Sequence, residues 1–389
     1  MPQQMVRAAV MTGPGALEVR NYPYPQAGPG ESVVRVEAVG ICGTDKHTYR
    51  GEISQYAGTA HAREIPYPII PGHEIVAVID DPKAQGLERD SEGVALAPGD
   101  RVIVAPDVAC GRCYFCRGSF PYYYCEALQD YGNSLSCEQP PHLFGGWAEH
   151  MYLLKGTKVF RVPSGLPTEV AVLAEEMAVT HGLDTARCIA ALRGGDVFSE
   201  SVVVLGVGPL GMCHCVKAKA LGAGSVVAVD ISADRLRAAK EFLGASLTLN
   251  ASELTPAERR EAVYEATSGR GADVVVDCTG QMDSIGEAVD LVRQGGAVVE
   301  AGAFVELGSS EGFHPAAVCT KEVAVLGVGG ERAEHYSGAL RLLEMTSERF
   351  GLAGLISHRF RLSAAKEAIE TAISPCSLKV LITPGIAES

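Results

Sequence analysis

Positive charge is scarce in this 389-residue chain: 33 Lys and Arg stand against 47 Asp and Glu, a formal net charge of −14. No long basic run offsets that balance, so the phosphate-neutralising surface that nucleic-acid binding requires is missing. Long apolar runs are missing as well. The most apolar stretch, Ser201 to Val229, is interrupted by Lys217 and Lys219, and no segment reaches the roughly 18 apolar residues of a membrane span. The opening residues, MPQQMVRAAVM, carry neither the apolar core nor the cleavage signature of a secretory signal. A cytoplasmic protein is the expectation. Aromatic residues make up only 6% of the chain, with one Trp, yet 47% of it is hydrophobic. That is enough apolar material for real cores, and at about 150 residues per domain the length points to two or three domains.

What the chain does have is cysteine, 12 in all. In a short secreted domain these would suggest disulfides, but in a long chain with no export signal metal binding is the better reading. Cys110, Cys113, Cys116 and Cys125 are spaced C-x2-C-x2-C-x8-C. Four thiolates so close in sequence can close a tetrahedron around Zn²⁺ with no open position, which makes a structural site. An iron–sulfur cluster or unligated cysteines are the alternatives, and Cys137 reads as a bystander.

Two styles of sequence follow one another. The first 165 or so residues are short β-rich segments punctuated by Gly and Pro; Ser32–Val39 alternates as a half-buried strand does. After about Pro167, helical stretches alternate with the short apolar runs 202–206, 226–230, 273–280 and 296–302. That alternation implies βαβ units and a parallel sheet covered by helices on both faces. Beyond about Gly330 come a helical stretch (Ser337–Phe350), a strand-like SHRFRL and Lys379–Thr383, while residues 82–98 read as a surface loop.

Gly206, Gly208 and Gly211 form G-x-G-x-x-G directly after VVVLG and before the helical run that begins at Pro209 and Leu210. The first glycine permits a tight turn, the second lets the backbone approach a pyrophosphate, and the third lets the helix pack on the strand. The helix N-terminus then presents N–H groups to phosphate. Asp230 ends the next strand, where a carboxylate hydrogen-bonds ribose hydroxyls and repels a 2′-phosphate, so NAD is favoured over NADP. Arg235 lies near enough to weaken that preference. A packing turn without ligand is the plain alternative.

Three more segments stand out: GICGTDKH at 40–47, PGHE at 71–74 and AEEMAVTHG at 174–182. Together with the glycine turn, the cysteine lobe, GDRV at 99–102, GGWAEH at 145–150 and HRF at 358–360, they make nearly the whole chain, from about Met5 to Pro384, resemble the zinc-dependent medium-chain alcohol and polyol dehydrogenases. The resemblance implies a two-domain α/β protein. A GroES-like β-rich catalytic domain would span 1–176 and 330–389, with the structural-zinc lobe at about 106–137. A Rossmann-type doubly wound parallel sheet would span 177–329.

It also implies a catalytic zinc beside the structural one. Cys42 and His73 are a thiolate and an imidazole suited to Zn²⁺, and a catalytic site keeps a position open for water or substrate. Glu175 occupies the third ligand position as in the sorbitol-dehydrogenase-like branch, binding directly or through the zinc-bound water. Glu74 is either an inner ligand or a neighbour that exchanges with water. Glu176 stands where that branch usually has proline. Thr44 resembles the hydroxyl that takes the alcohol's proton, and His47 the imidazole that passes it to water.

His61, His142, His181 and His214 have no motif support, Cys213 and Cys215 read as small apolar groups, and Tyr122, Tyr123 and Tyr124 fit core packing or a subunit contact as well as substrate stacking. The last structural cysteine follows eight residues where the family often has seven, a local bulge, and Ala77 replaces a usual glycine. Residues Thr48 to Pro71 form a longer segment than in many relatives; with Tyr49, Tyr56 and His61 it is the candidate for setting substrate choice. The expectation is a zinc-requiring, NAD-dependent oxidoreductase interconverting a secondary alcohol and a ketone, with polyols, sugars or cyclitols favoured, working as a homodimer or homotetramer. L-threonine 3-dehydrogenase, a simple alcohol dehydrogenase, an idle zinc-stabilised binding protein and a zinc-free quinone reductase are the alternatives. Retention of Cys42, His73 and Thr44 speaks against the idle version, and the cysteine lobe against the reductase.

Overall fold

The computed structural model describes residues 4–81, 83, 85–118, 120–194, 200–306, 308 and 312–385. Of the expected surface loop, Pro82 and Ala84 lie outside the described residues; the rest is turns with one isolated Arg89–Ala95 bridge.

Among the described residues, the first sheet has seven strands. Val159–Arg161, Arg101–Val104, Glu74–Val78, Ser32–Gly40, Lys379–Thr383 and Ile356–Arg361 lie side by side in that order, and His150–Leu153 adds to Ser32–Gly40. Every pairing is antiparallel except that of the last two strands. Ser32–Gly40 is not the half-buried strand its alternation predicts: only Arg35 and Glu37 reach partial exposure. The reason is its central place. Val36 and Val39 pack into the β-rich core, while Ala38 on the opposite face joins the apolar cluster of the helical half.

The second sheet is parallel. Leu247–Asn250, Ser225–Asp230, Ser201–Leu205, Ala272–Asp277, Val292–Glu300 and Ala324–Gly327 lie in that order. With strands counted along the chain this is 3-2-1-4-5-6, so the direction of winding reverses between Ser201–Leu205 and Ala272–Asp277. Ligands bind at such a switch point, beyond the carboxyl ends of the strands. The apolar runs seen in the sequence are explained by two covered faces: Val202 and Val204 join one core cluster, Val203 and Leu205 another.

The chain after 330 divides between the two halves. Ile356–Arg361 and Lys379–Thr383 complete the first sheet, but the helix Tyr336–Thr346 packs on Ala174–Val179 and Pro209–Ala220. Its buried stripe of Tyr336, Leu340 and Leu343 shares a core with Val202 and Val204, which draws it to the parallel sheet.

His214, on the helix Pro209–Ala220, is fully buried; its Nδ1 lies 3.0 Å from the Leu210 carbonyl oxygen and its Nε2 has no partner among the described residues. Burial pushes its pKa down to about 4. The unfolded chain therefore binds a proton below pH ~6.5 that the folded chain refuses, and stability is lost as pH falls from about 6.5 towards about 4. His214→Asn is expected to flatten that part of the profile, measured as the urea midpoint between pH 7 and pH 4.5.

Candidate active site and metal sites

One cleft, of about 980 Å³, runs between the two sheets and gathers Cys42, His73 and Glu175 with Gly206, Gly208, Pro209, Leu210, Gly211, Asp230 and Arg235. Cys42 precedes the helix Gly43–Arg50, and His73 follows a turn at Gly72. Gly72 has φ +91°, and a Cβ there would fall 2.3 Å from Trp147 Cδ1, so only glycine suits this approach. Asp45 binds the two loops together. Its carboxylate accepts from the Cys42 N–H at 2.9 Å and from the Gly72 N–H at 3.1 Å, and it is buried.

Around His73, burial is outweighed by Cys42, Asp45 and Glu175, which hold its pKa well above the usual imidazole range. Glu175, on the helix Ala174–Val179, is 7% exposed and makes no hydrogen bond with the described residues; burial and the nearby Glu331 raise its pKa strongly. A thiol, an imidazole and an unpartnered carboxylate facing one cleft suit a divalent zinc ion, which would supply the missing positive charge. Thr44 lines the cleft with its Oγ1 3.9 Å from Cys42 Sγ. His47 also lines it, with Nδ1 2.5 Å from Glu52 Oε2.

The four-cysteine lobe is tighter. Among the described residues, the thiols of Cys110, Cys113, Cys116 and Cys125 form the only set of three or more potential ligands whose donor atoms all lie within 4.8 Å of one another. Sulfurs 2.3 Å from a shared zinc would stand about 3.8 Å apart, so the cradle fits the ion. The backbone already favours thiolate: N–H groups of Cys116 and Glu126 bring the Cys113 pKa down to about 6, whereas burial pushes Cys125 up to about 12. Part of the extra length before Cys125 is taken up by the 3₁₀ turn Tyr122–Tyr124; Ser119 lies outside the described residues.

At the switch point, Gly206 has φ +78°, and a Cβ on Gly211 would fall 2.0 Å from the Gly206 carbonyl oxygen. Gly208 precedes the helix Pro209–Ala220, with Pro209 in its first turn. The Asp230 carboxylate accepts from the N–H groups of Val207 (2.9 Å) and Ser232 (2.8 Å), and Arg235 Nη1 lies 3.9 Å away. Turn, acidic residue and helix N-terminus thus form the cradle that a dinucleotide requires.

Residues 28–164 match the alcohol dehydrogenase GroES-like domain, and residues 209–345 match the zinc-binding dehydrogenase domain. The chain is 36% identical over 373 residues to a probable alcohol dehydrogenase of Mycobacterium tuberculosis, covering 94% of each. It belongs to the zinc-dependent medium-chain dehydrogenases. Among solved structures, an alcohol dehydrogenase from Thermotoga maritima superposes with a TM-score of 0.84 at 30% identity, covering 98% of this chain and 100% of that one. A zinc-binding dehydrogenase from Sinorhizobium meliloti, bound to NADP, gives 0.81 at 27% identity and the same coverage. As a member of this family the protein is an alcohol-dehydrogenase-type oxidoreductase, and among the described residues no helix is long and apolar enough to cross a membrane.

Other expected residues fall in various places. Tyr56 lines the cleft, but Tyr49 does not; its hydroxyl reaches Glu370 Oε1 at 3.2 Å. His61 packs edge-on to Tyr56. Tyr122 donates to Glu331 across the cleft wall, and His181 Nε2 lies 3.1 Å from the Gly330 carbonyl oxygen. Several cleft residues were not singled out from the sequence: Lys46, Asp107, Asp130, Asn133, Phe304 and Glu331. Lys46, like Asp45, which stands outside the lining, lies within the GICGTDKH segment; no motif marked the others.

Glu74 is absent from the cleft lining. Its Oε2 accepts from Lys379 Nζ, which also donates to Glu176 Oε1 at 2.8 Å, and all three side chains are buried. Lys379 outweighs burial and holds Glu74 below the usual carboxylate range, while burial and the Glu74 charge push Glu176 up to about 8. Lys379→Met would strand two carboxyls without their counter-charge, and the expected loss is roughly 3–5 kcal/mol of unfolding free energy. Lys379→Arg should recover part of it; chemical denaturation of both variants beside the parent protein checks this.

Proposed function

We propose that the protein oxidises a secondary alcohol to a ketone with NAD as hydride acceptor, and runs the reverse reaction, using one catalytic and one structural zinc per chain. The observation that carries this reading is the meeting of Cys42, His73 and Glu175 with the Gly206–Gly211 turn in a single cleft. Cys42, His73 and Glu175 would hold the catalytic zinc, which when bound would supply the Lewis-acid chemistry that lowers the pKa of an alcohol. NAD supplies the hydride-accepting carbon.

The chain's own residues do the remainder. Thr44 Oγ1, beside Cys42, is the hydroxyl placed to take the alcohol proton. His47, oriented by Glu52, is the exchanger between the cleft and solvent. Glu74 is read as a neighbour of the metal site rather than a ligand, because Lys379 already engages its carboxylate. Asp230 favours NAD, since its carboxylate would face a 2′-phosphate, and Arg235 tempers that choice. The glutamate at the third ligand position leans the substrate towards polyol-like alcohols. We assign residues 1–176 and 330–389 to the catalytic domain and 177–329 to the cofactor domain, and the protein to the cytoplasm as a homodimer or homotetramer.

A panel of polyols, cyclitols, sugars, amino alcohols and simple alcohols, followed by NADH absorbance, tests the reading; silence across the panel with both NAD and NADP would overturn it. Thr44→Val is expected to lower kcat roughly 100- to 10,000-fold with a smaller change in KM. Elemental analysis should find about two zinc ions per chain in the parent protein and about one in Cys113→Ser.

A further inference from the structure

Basic and acidic side chains stand together along much of the cleft, as Arg235 with Asp230 and Arg259 with Glu287 do, but one stretch of its lining is acidic alone. Arg235 stands at the glycine turn, with Nη1 3.8 Å from where a Cβ on Gly208 would lie. Beyond His73 the lining is Asp107, Asp130, Asn133 and Glu331. Asp107 and Asp130 are register partners in the two-stranded ribbon Asp107–Val108/Gln129–Asp130. Directly opposed residues hold their Cβ atoms about 5 Å apart, a placement that destabilises like charges. Three carboxyl groups therefore share one wall with no Lys or Arg lining that stretch among the described residues. Arg63 lies outside the lining, over the Tyr56 ring at 4.8 Å; it donates to the Leu128 carbonyl oxygen, and its charge offsets part of the effect of burial on Asp107 and Asp130.

Asp130 Oδ1 and Asn133 Oδ1 are left as unused acceptors on the wall, while Arg63, outside the lining, keeps Nε and Nη2 without a partner among the described residues. Asp130 Oδ2 accepts from Tyr56 Oη and Asn133 Nδ2, and Glu331 Oε1 accepts from Tyr122 Oη. Asp107 is 5% exposed, lines the cleft and has no hydrogen bond with the described residues. Independently of the carboxyls, the Asn133 side-chain oxygen, on a residue 4% exposed, also lacks a partner. Buried acceptors of this kind call for a ligand rich in donors. A hydroxyl brings one donor and no charge; an ammonium brings three donors and a positive charge to a wall where three carboxyls have one neighbouring guanidinium, that of Arg63.

We infer that this wall, built by Asp107, Asp130, Asn133 and Glu331, is a subsite for an alkylammonium group, so that the alcohols taken best carry an amine near the reacting carbon and no carboxylate. The inference rests on the dehydrogenase reading for its chemistry and narrows the substrate class. The balance is that of alcohol oxidation: the carbinol C–H bond breaks with its electron pair passing to the nicotinamide, the O–H proton leaves to solvent, and an amino ketone forms. The amine nitrogen is neither oxidised nor released. A zwitterionic amino acid is disfavoured, because its own carboxylate would face the same wall.

The test compares 1-amino-2-propanol with its isostere 1,2-propanediol and with L-threonine on the zinc-loaded enzyme, by NADH formation. Propylamine, which has no oxidisable hydroxyl, is titrated by calorimetry into the same enzyme with NAD. The amino alcohol should exceed the diol roughly 100-fold in kcat/KM, threonine should fall well below the amino alcohol, and propylamine should bind. Asp107→Asn should lower the amine-to-diol ratio at least tenfold and weaken propylamine, and Asp107→Glu should restore part of both. A diol used as well as the amino alcohol overturns the inference while leaving the dehydrogenase reading intact. Propylamine binding that depends on Asp107, with no alcohol oxidised, sustains the subsite and removes the dehydrogenase reading. Absence of propylamine binding, or its displacement by equimolar Mg²⁺, overturns the ammonium subsite.

Discussion

The buried contact of Lys379 with Glu74 and Glu176 joins the three parts of the chain that make the cleft wall. Lys379 comes from the strand nearest the C-terminus, Glu74 from the strand that follows His73, and Glu176 from the helix that presents Glu175. Burial of charged groups is costly unless they are paired, so these three segments are held to one geometry. Gly40 completes the arrangement: a Cβ there would fall 1.8 Å from Glu74 Oε2. His73 and Glu175, next to Glu74 and Glu176 in sequence, inherit their positions from the triad, and Lys379 thereby bears on a cleft lined by Cys42, 337 positions earlier.

Much of this was legible beforehand because the relevant signals are local. The glycine turn, the apolar strand before it and the acid after it lie within one βαβ unit, and each glycine has a steric reason to be there. The four cysteines lie within one short loop, so their convergence needs little tertiary information. The parallel strands were legible because apolar runs with helices on both sides have few other solutions. Sites assembled from distant pieces were another matter. Lys379 reads in sequence as one polar residue opening a strand, and only the folded register brings it to Glu74. Asp107 and Asp130 carry no motif; they meet because a two-residue ribbon pairs them. Ser32–Gly40 misled in the opposite way, since alternation suggested a solvated face, yet only Arg35 and Glu37 stay partly exposed while Ala38 joins the apolar cluster of the helical half.

Glu176 shows how one departure from a family pattern spreads. The resemblance puts proline at this position, and a proline would leave Lys379 with Glu74 alone. With glutamate present, the lysine is shared between two carboxyls, and burial beside the Glu74 charge pushes the pKa of Glu176 upward. Asp45 does comparable work on the other side, fixing the Cys42 and Gly72 backbones by hydrogen bonds that no side-chain motif advertises.

The two lips of the cleft also touch. Gln55 and Val305 form an isolated antiparallel bridge, the Glu306 N–H donates to the Ser54 carbonyl oxygen at 3.0 Å, and Tyr56 stands edge-on to Phe304. Net values near 1 kcal/mol per hydrogen bond and per aromatic pair make such a clasp worth only about 2–3 kcal/mol. A fastening of that strength corresponds to a parted fraction of roughly one in a hundred at equilibrium, so separating the two lips costs the molecule little.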